Sequence, residues 1–504
     1  MPKSSRSKRS LKNYLAGIST QVIGLSISIF STPLLLLWLG EERFGVFRAA
    51  SDLGGYVGLL ELGIGGSVMA VLASAFAQED RSKISLSVGT SIRAYLQITI
   101  LMILGTVVIG LLLTNIVKVP YFLHEELKLG YWIGAIAILF LPLTPFRILV
   151  DASNRSYFTS YVFFVQSLII TSISLLLAWS KWGIPGQYLA ILAGAIFTQT
   201  ILCWDGLKKY SNSFGSVFNA NKEDQIEISN KIWQLNFPTL LWNFSGQIAF
   251  LADNLIISFY LGSAAVVPFF LTQRLIVICQ SQLQGIGNAT WAGLADLYHK
   301  NEIERFNHNA IKLTRFVSIL GFGAMTVVGS YNPNFIGLWL GNARFAGEGV
   351  NLLAVINGFL MGILSLWGWL FTGTGHVRQG LPPLLLGALL NLAISLIFTP
   401  IIGITAPLLG TFLGFFPSFW AYPILLNQIF GISIKKLLQA LSKPFIVGIP
   451  YACLIWWIAQ SHTPWGWIGL GAEMAISGLC YLILAWFSIL TVSDREEWTN
   501  RLRK

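Results

Sequence analysis

The 504-residue chain is 54% hydrophobic and only 11% charged, with a mean hydropathy of +0.67. Soluble domains carry about 25% charged residues, so a water-facing surface of this size is excluded and lipid must solvate most of the chain. The formal charge of +11 points away from nucleic acid once its distribution is considered.

A basic segment, MPKSSRSKRSLK (1–12), precedes a first apolar run at 13–39. That run is too long for the core of a signal peptide and reads as a retained anchor. Further runs follow at 45–76, 86–114, 130–151, 157–180, 183–205, 231–261, 263–295, 311–340, 349–373, 381–401, 403–430, 441–459 and 465–491. A bilayer crossing needs about 20 such residues, so an all-α polytopic membrane protein with about fourteen transmembrane helices is expected. The break between 381–401 and 403–430 rests on Gly403.

Lys and Arg concentrate on the cytoplasmic side of membrane proteins. With the N-terminus inside, inner loops and helix ends hold 26 of the 33 basic residues. Five lie outside: Arg43, Lys118, Lys128, Lys181 and Arg344. Both termini are therefore expected in the cytoplasm, with the basic side facing anionic lipid. Trp38, Trp132, Trp182, Trp339, Trp465 and Trp467 fall at outer helix ends, where an aromatic belt belongs. The outer loop NIVKVPYFLHEELKL is too short for a domain. The inner segment 206–230, containing SNSFGSVFNANKEDQ, separates a first six-helix bundle (13–205) from a second (231–430). Two extra helices (431–491) and a tail (492–504) follow. Cys203, Cys279, Cys453 and Cys480 lack ligand spacing, so neither disulfides nor zinc are expected.

The bundles repeat. Offset by 222 residues, Leu39-Gly40 meets Leu261-Gly262, Phe47 meets Phe269, Leu53 meets Leu275 and Gly63-Ile64-Gly65 meets Gly285-Ile286-Gly287. Ala70, Leu72-Ala73 and Arg93 also meet identical residues. Both copies occupy the second span of a six-span block, so the blocks enter the membrane in the same sense. A pseudo-two-fold axis along the membrane normal is expected, with a binding site between the halves. The Gly-Ile-Gly cores fit close helix packing better than a direct role in binding.

The segment LGEERFGVFRAASDLGGYVGLLELGIGGSV (39–68) resembles the second-helix region of polysaccharide transporters, which include O-antigen and exopolysaccharide repeat-unit flippases. These belong to the multidrug/oligosaccharidyl-lipid/polysaccharide (MOP) exporter superfamily, with the multidrug extruders and the lipid II flippase. The resemblance extends to the architecture of two six-helix bundles, an inner link and two C-terminal helices. Where such proteins often carry Asp before Leu-Gly, this chain has Glu61. The resemblance implies a flippase that carries a polyprenyl-pyrophosphate-linked oligosaccharide across the bacterial inner membrane by alternating access, coupled to an ion gradient. Polysaccharide polymerase and assembly proteins are expected partners, alongside membrane lipids.

Charges within the membrane cost about 2.5–3.5 kcal/mol each on insertion scales. Arg48 and Asp52 are one turn apart in span two, Arg274 is the repeat equivalent of Asp52, and Asp253 lies in span seven. At about 1.5 Å rise per residue the four share a depth in the outer half of the bilayer. The resemblance implies that spans one, two, seven and eight line the central cavity. Arginine's planar donors suit phosphate oxygens, so Arg48 and Arg274 are candidates for the substrate pyrophosphate. Asp52, Asp253 and, about 180° around the helix from Asp52, Glu61 are candidates for ion coupling. Arg48–Asp52 and Asp253–Arg274 would equally serve as neutralising pairs that fix helix packing. Arg147 and Asp151 read as a structural pair near the inner end of span four, and Asp205, Asp296, His299 and His308 as solvated.

No G-x4-G-K-[ST] motif for ATP occurs, and no cofactor is expected. Two rivals remain. A multidrug-type cation antiporter predicts a cavity dominated by carboxylates. A membrane glycosyltransferase or polysaccharide polymerase predicts a catalytic outer loop, for which His124-Glu125-Glu126 offers little. The topology has a direct check. Green fluorescent protein fused after Lys504 should fluoresce, whereas alkaline phosphatase should be active when inserted near Lys118 and inactive at the C-terminus.

Overall fold

Gly40 marks the corner between the first two predicted spans. In the computed structural model helix α1 (Lys3–Gly58) turns there, with φ 79° and ψ 163° at Gly40. This conformation costs glycine little and other residues much. Its repeat equivalent Gly262 has φ 89° and ψ 159°, so the aligned Leu-Gly pairs make the same corner twice. The structure describes residues 3–58, 61, 64–77, 81–153, 155–219, 226–230, 232–233, 252–490 and 495–496. Gly63, most of the predicted span at 231–261, part of the 206–230 segment and most of the tail lie outside them.

The fold is all-helical. After α1 come α2 (Ile64–Ala77), α3 (Arg81–Ile116), α4 (His124–Ala135), α5 (Thr144–Ala152), α6 (Ser156–Trp179) and α7 (Gly183–Asn219). They are followed by α8 (Ala252–Leu261) and α9 (Val266–His299), α10 (Ile303–Leu340), α11 (Glu348–Gly373) and α12 (Val377–Ile402). The last are α13 (Ala406–Phe430), α14 (Ile434–Ser461) and α15 (Gly466–Ser488). Among the described residues, ten helical stretches are long and apolar enough to cross a membrane. One of them, Val377–Phe430, contains two predicted spans, parted where sequence placed the break: Gly403 has φ 70°. Span four is continuous from Tyr121 to Ala152, but its middle, Ile136–Leu143, is a 3-10 helix. Pro142 and Pro145 withhold two N–H donors there, which explains the departure from α geometry.

Span two departs from expectation. The helix ends at Gly58 and resumes at Ile64, with Glu61 in a turn. The second repeat is unbroken: Gly285-Ile286-Gly287 lies inside α9. A β-carbon at Gly287 would stand 2.7 Å from the Trp369 ring and 3.4 Å from Leu366 Cα, so this glycine permits a close helix approach.

The chain forms two compact units, Met1–Val266 and Val267–Lys504. In the first, the two parts of span two serve different cores. Val46, Ala49, Ala50 and Leu53 of α1 pack with Leu113, Leu127, Ile184 and Tyr188. Ile64, Val68 and Leu72 of α2 pack with Val88, Tyr95, Phe146 and Leu149. The break thus falls between two apolar clusters that each hold one half of the span.

Charged clamps secure this unit. Arg43 Nε lies 2.9 Å from Glu126 Oε2, and Glu126 also accepts the Ile184 N–H at 3.1 Å, tying α1, α4 and α7. Arg155 grips Asp205 with two hydrogen bonds of 2.8 and 3.0 Å, and Lys209 adds a third. Asp205 is therefore not the solvated group that sequence suggested. Bidentate pairing of this kind carries geometry as well as charge. Asp296, His299 and His308 are exposed, as expected of helix ends. Trp339 departs from the aromatic belt: it is 9% exposed and packs on Phe335 at 5.2 Å.

The second unit is held by small residues and interhelical hydrogen bonds, the devices available where lipid removes the hydrophobic driving force between helices. Asn332 Nδ2 donates to Thr272 O (2.7 Å) and to Asn351 Oδ1 (2.9 Å). Asn391 Nδ2 donates to Thr411 Oγ1. Helices α14 and α15 dock on α10 through Ile319, Tyr481 and Ala485. At the α12–α13 contact a β-carbon on Gly414 would meet Gly387 O at 2.6 Å and Asn391 N at 2.7 Å. Both are backbone atoms that cannot turn aside. Gly414→Ala should therefore cost about 1–3 kcal/mol and lower the Tm of the purified protein. Gly105→Ala, with open space around the added carbon, should leave Tm unchanged or raise it.

Candidate functional site

In the first unit the structure brings together Arg48 and Asp52 of α1, Tyr188 of α7, and Asp253 and Asn254 of α8. Helical spacing puts Arg48 and Asp52 on one face of α1, and Arg48 is within electrostatic reach of Asp52 and Tyr188. Asp52 Oδ2 accepts a hydrogen bond of 2.6 Å from Asn254 Nδ2. The Tyr188 ring, itself buried, meets Phe47 edge-on at 5.4 Å. Close packing brings α1 against the turn after α8, because a β-carbon on Gly45 would overlap Ser263 O at 2.0 Å.

Asp253 is 6% exposed. The charged group that acts on it is Asp52, a second carboxylate. Its Oδ1, Asn254 Oδ1 and Ser258 Oγ are buried without a hydrogen-bond partner among the described residues. One guanidinium and two carboxylates carry a net charge of −1 when all are ionised. A partly enclosed cluster with spare oxygen acceptors and one negative charge in excess is neutralised by one proton or one small cation.

Arg274 belongs to the second unit, on α9. Its guanidinium carbon stands 5.7 Å from the centroid of the Phe270 ring, a cation–π arrangement. The side chain is half-buried.

Glu61 stands apart from Asp52, and the helix break removes the rotational relation inferred from a continuous span. Its backbone forms the turn, donating its N–H to Gly58 O at 3.0 Å and accepting from Ile64 N–H at 3.1 Å. Its carboxylate receives the Tyr95 hydroxyl at 3.4 Å, with Arg147 Nη2 at 3.9 Å. Arg147 therefore reaches across to Glu61 as well as belonging to the predicted pair with Asp151.

Sequence reading missed Asn254, Tyr188 and Tyr95. Asn254 left a signal: it follows Asp253 within an apolar run, where a second polar residue is costly. The tyrosines left none, because an apolar ring is unremarkable in a membrane span.

No family model matches the chain. Over 506 aligned residues it is 22% identical to an uncharacterized membrane protein, EpsK, of Bacillus subtilis (strain 168), with 98% of each covered. Among solved structures, the lipid II flippase MurJ in an inward closed conformation superposes with a TM-score of 0.70 at 15% identity, covering 94% of this chain and 97% of that one. An outward-facing multidrug resistance MATE transporter gives 0.62 at 13% identity, covering 84% and 96%. An inward-facing one gives 0.56 at 14%, covering 82% and 96%. The protein is a multi-pass membrane protein with the fold of these MOP-superfamily flippases and transporters.

Proposed function

We propose that the protein is a flippase for a lipid-linked oligosaccharide, not an enzyme, and that it is coupled to a proton or sodium gradient. In this reading Arg48 and Arg274 hold the diphosphate of the substrate, and Asp52 and Asp253 take up the coupling ion. Glu61 is a second ion-coupling candidate. The bundles are those read from sequence, divided at 206–230. The protein sits in the bacterial inner membrane with both termini in the cytoplasm, and polymerase and assembly proteins receive its product.

The observation that carries the reading is the half-buried Arg48–Asp52–Asn254 group set beside the buried Asp253. An arginine beside Asp52, with a second carboxylate next to that one, suits an anionic cargo whose binding is linked to a cation. A cation extruder of the multidrug type has no use for that arginine. The MurJ fold also matches more of the chain than the MATE fold does, 94% against 84%. The glycosyltransferase alternative needs a reactive outer loop. There Glu126 is held by Arg43 and the Ile184 N–H, Glu125 by Lys128, and the His124 ring by Val119 O at 3.0 Å. These contacts are those of a structural loop.

Reconstituted into proteoliposomes, the protein should move a labelled polyprenyl-diphosphate oligosaccharide to the opposite leaflet. Arg48→Ala and Arg274→Ala should each slow transfer about tenfold or more, the loss expected for one charge-assisted hydrogen bond. Wild-type transfer by the double variant would remove both residues from the substrate site. Asp253→Asn should keep substrate binding but abolish the acceleration by an imposed ion gradient. Unchanged acceleration would remove Asp253 from coupling.

A further inference from the structure

Helices α3 and α15 turn hydrocarbon side chains outward, as lipid requires. Their exposed residues include Leu96, Ile100 and Leu104 on the first and Ile476, Leu479 and Ile483 on the second. Helix α9 differs. The exposed positions along its middle are Ser281, Gln282, Gly285, Asn288 and Ala289. Among the described residues, Val277 is the only large apolar side chain that α9 exposes. A carboxamide set in hydrocarbon without a partner would cost several kcal/mol, so this face is turned to water. No ionisable residue occurs from 275 to 295. The water-facing wall is therefore polar but uncharged.

Toward the His299 end of that face stands an aromatic pair. Trp291 of α9 and Trp369 of α11 stack with ring centroids 5.8 Å apart and an interplanar angle of 18°. Each indole is seated on a glycine of the opposite helix. A β-carbon at Gly287 would stand 2.7 Å from the Trp369 ring, and one at Gly373 would stand 3.1 Å from the Trp291 ring. The rings are thus fixed in orientation, yet both are half-buried and not enclosed. Gln284, Asn288 and Trp291, at intervals of four and three residues, share one face of α9. Neither side-chain amide, and neither indole N–H, hydrogen-bonds to another of the described residues.

We propose that this face of α9 binds the sugar rings of the cargo, with Trp291 and Trp369 as a stacking platform and Gln284 and Asn288 as the residues that read hydroxyls. A carboxamide offers two donors and an acceptor, which matches a hydroxyl that both gives and takes a hydrogen bond. An indole presents an apolar face with an N–H at its edge, which matches the C–H face of a sugar ring and the hydroxyls around it. The uncharged wall favours the sugars over the diphosphate, and a lipid tail gains nothing from the amides. Arg274, assigned the diphosphate above, lies on the same face, since 274, 281 and 288 recur every seven residues. About 15 Å of helix rise separates it from Gln284, so the charged and sugar portions of one molecule lie along one helix. The inference rests on the flippase reading and adds to it the residues that recognise the sugars.

Two probes are offered to the full-length protein in nanodiscs: a polyprenyl diphosphate bearing the oligosaccharide of the native host, and the same polyprenyl diphosphate without sugar. Bound lipid is counted by native mass spectrometry after release. Wild type should retain the sugar-bearing lipid about tenfold better than the bare one, the gain expected from one or two hydrogen bonds to hydroxyls. The Gln284→Ala, Asn288→Ala double variant should retain both lipids equally, holding the bare one as wild type does. Trp291→Ala should lose the preference in the same way, and Trp291→Phe, which keeps a ring, should recover part of it. If the double variant does not fold, Asn288→Ala alone, at an exposed position, gives the same comparison. A preference that persists in the double variant, or an equal loss of both lipids from it, would overturn the inference and leave the flippase reading intact. So would a wild type that holds both lipids equally. A wild type that retains neither lipid would overturn the flippase reading, and this inference with it.

Discussion

Hydrocarbon offers no partner to a backbone N–H or C=O, so a chain crossing it must satisfy every such group internally. This constraint determines where the helices can depart from regularity. The break around Glu61 is tolerated because each flank of span two is buried in its own apolar cluster, and Tyr95 and Arg147 bring polar atoms to the joint. The 3-10 segment at Ile136–Leu143 occurs where two prolines already withhold their donors. At the α12–α13 contact the constraint acts in the opposite direction. Helices that satisfy their own backbones can be brought into backbone contact by glycine, and Gly387, Gly410 and Gly414 do this.

Within this solvent the charged groups of the first unit fall into two kinds of environment. Arg43–Glu126 and Arg155–Asp205 are short and multiply hydrogen-bonded, and their polar atoms are satisfied. The Asp52–Asp253 cluster is different: it sets two carboxylates against each other and leaves buried oxygens on Asp253, Asn254 and Ser258 without partners. Each buried polar group left without a partner costs about 1–3 kcal/mol.

Much of the fold was legible because a bilayer imposes a length and a polarity on each helix. Apolar runs located α3, α6, α7 and α9–α15 closely, and Gly403 located the turn between α12 and α13. The 222-residue offset aligned Gly40 with Gly262, two corners of the same backbone shape. The break in span two was not legible, because LLELGIG reads as apolar sequence with one charge and hydropathy does not register a turn. Asp205 was misread for a related reason. Position near a helix end suggests solvent, whereas its environment is set by Arg155, which is 50 residues away in sequence. The charged candidates were found by their cost in lipid. Their partners Asn254, Tyr95 and Arg147 depend on which helices meet, and one sequence does not specify that.

Glu126 ties α1, α4 and the start of α7 together, and Asp205 ties α7 to the residue that opens α6. The departures from helical regularity, the hydrogen-bonded turn at Glu61 and the 3-10 stretch of span four, fall elsewhere in the unit. Neutralising Glu126 alone would therefore release α1 and α7 from α4 together, because one carboxylate serves both contacts.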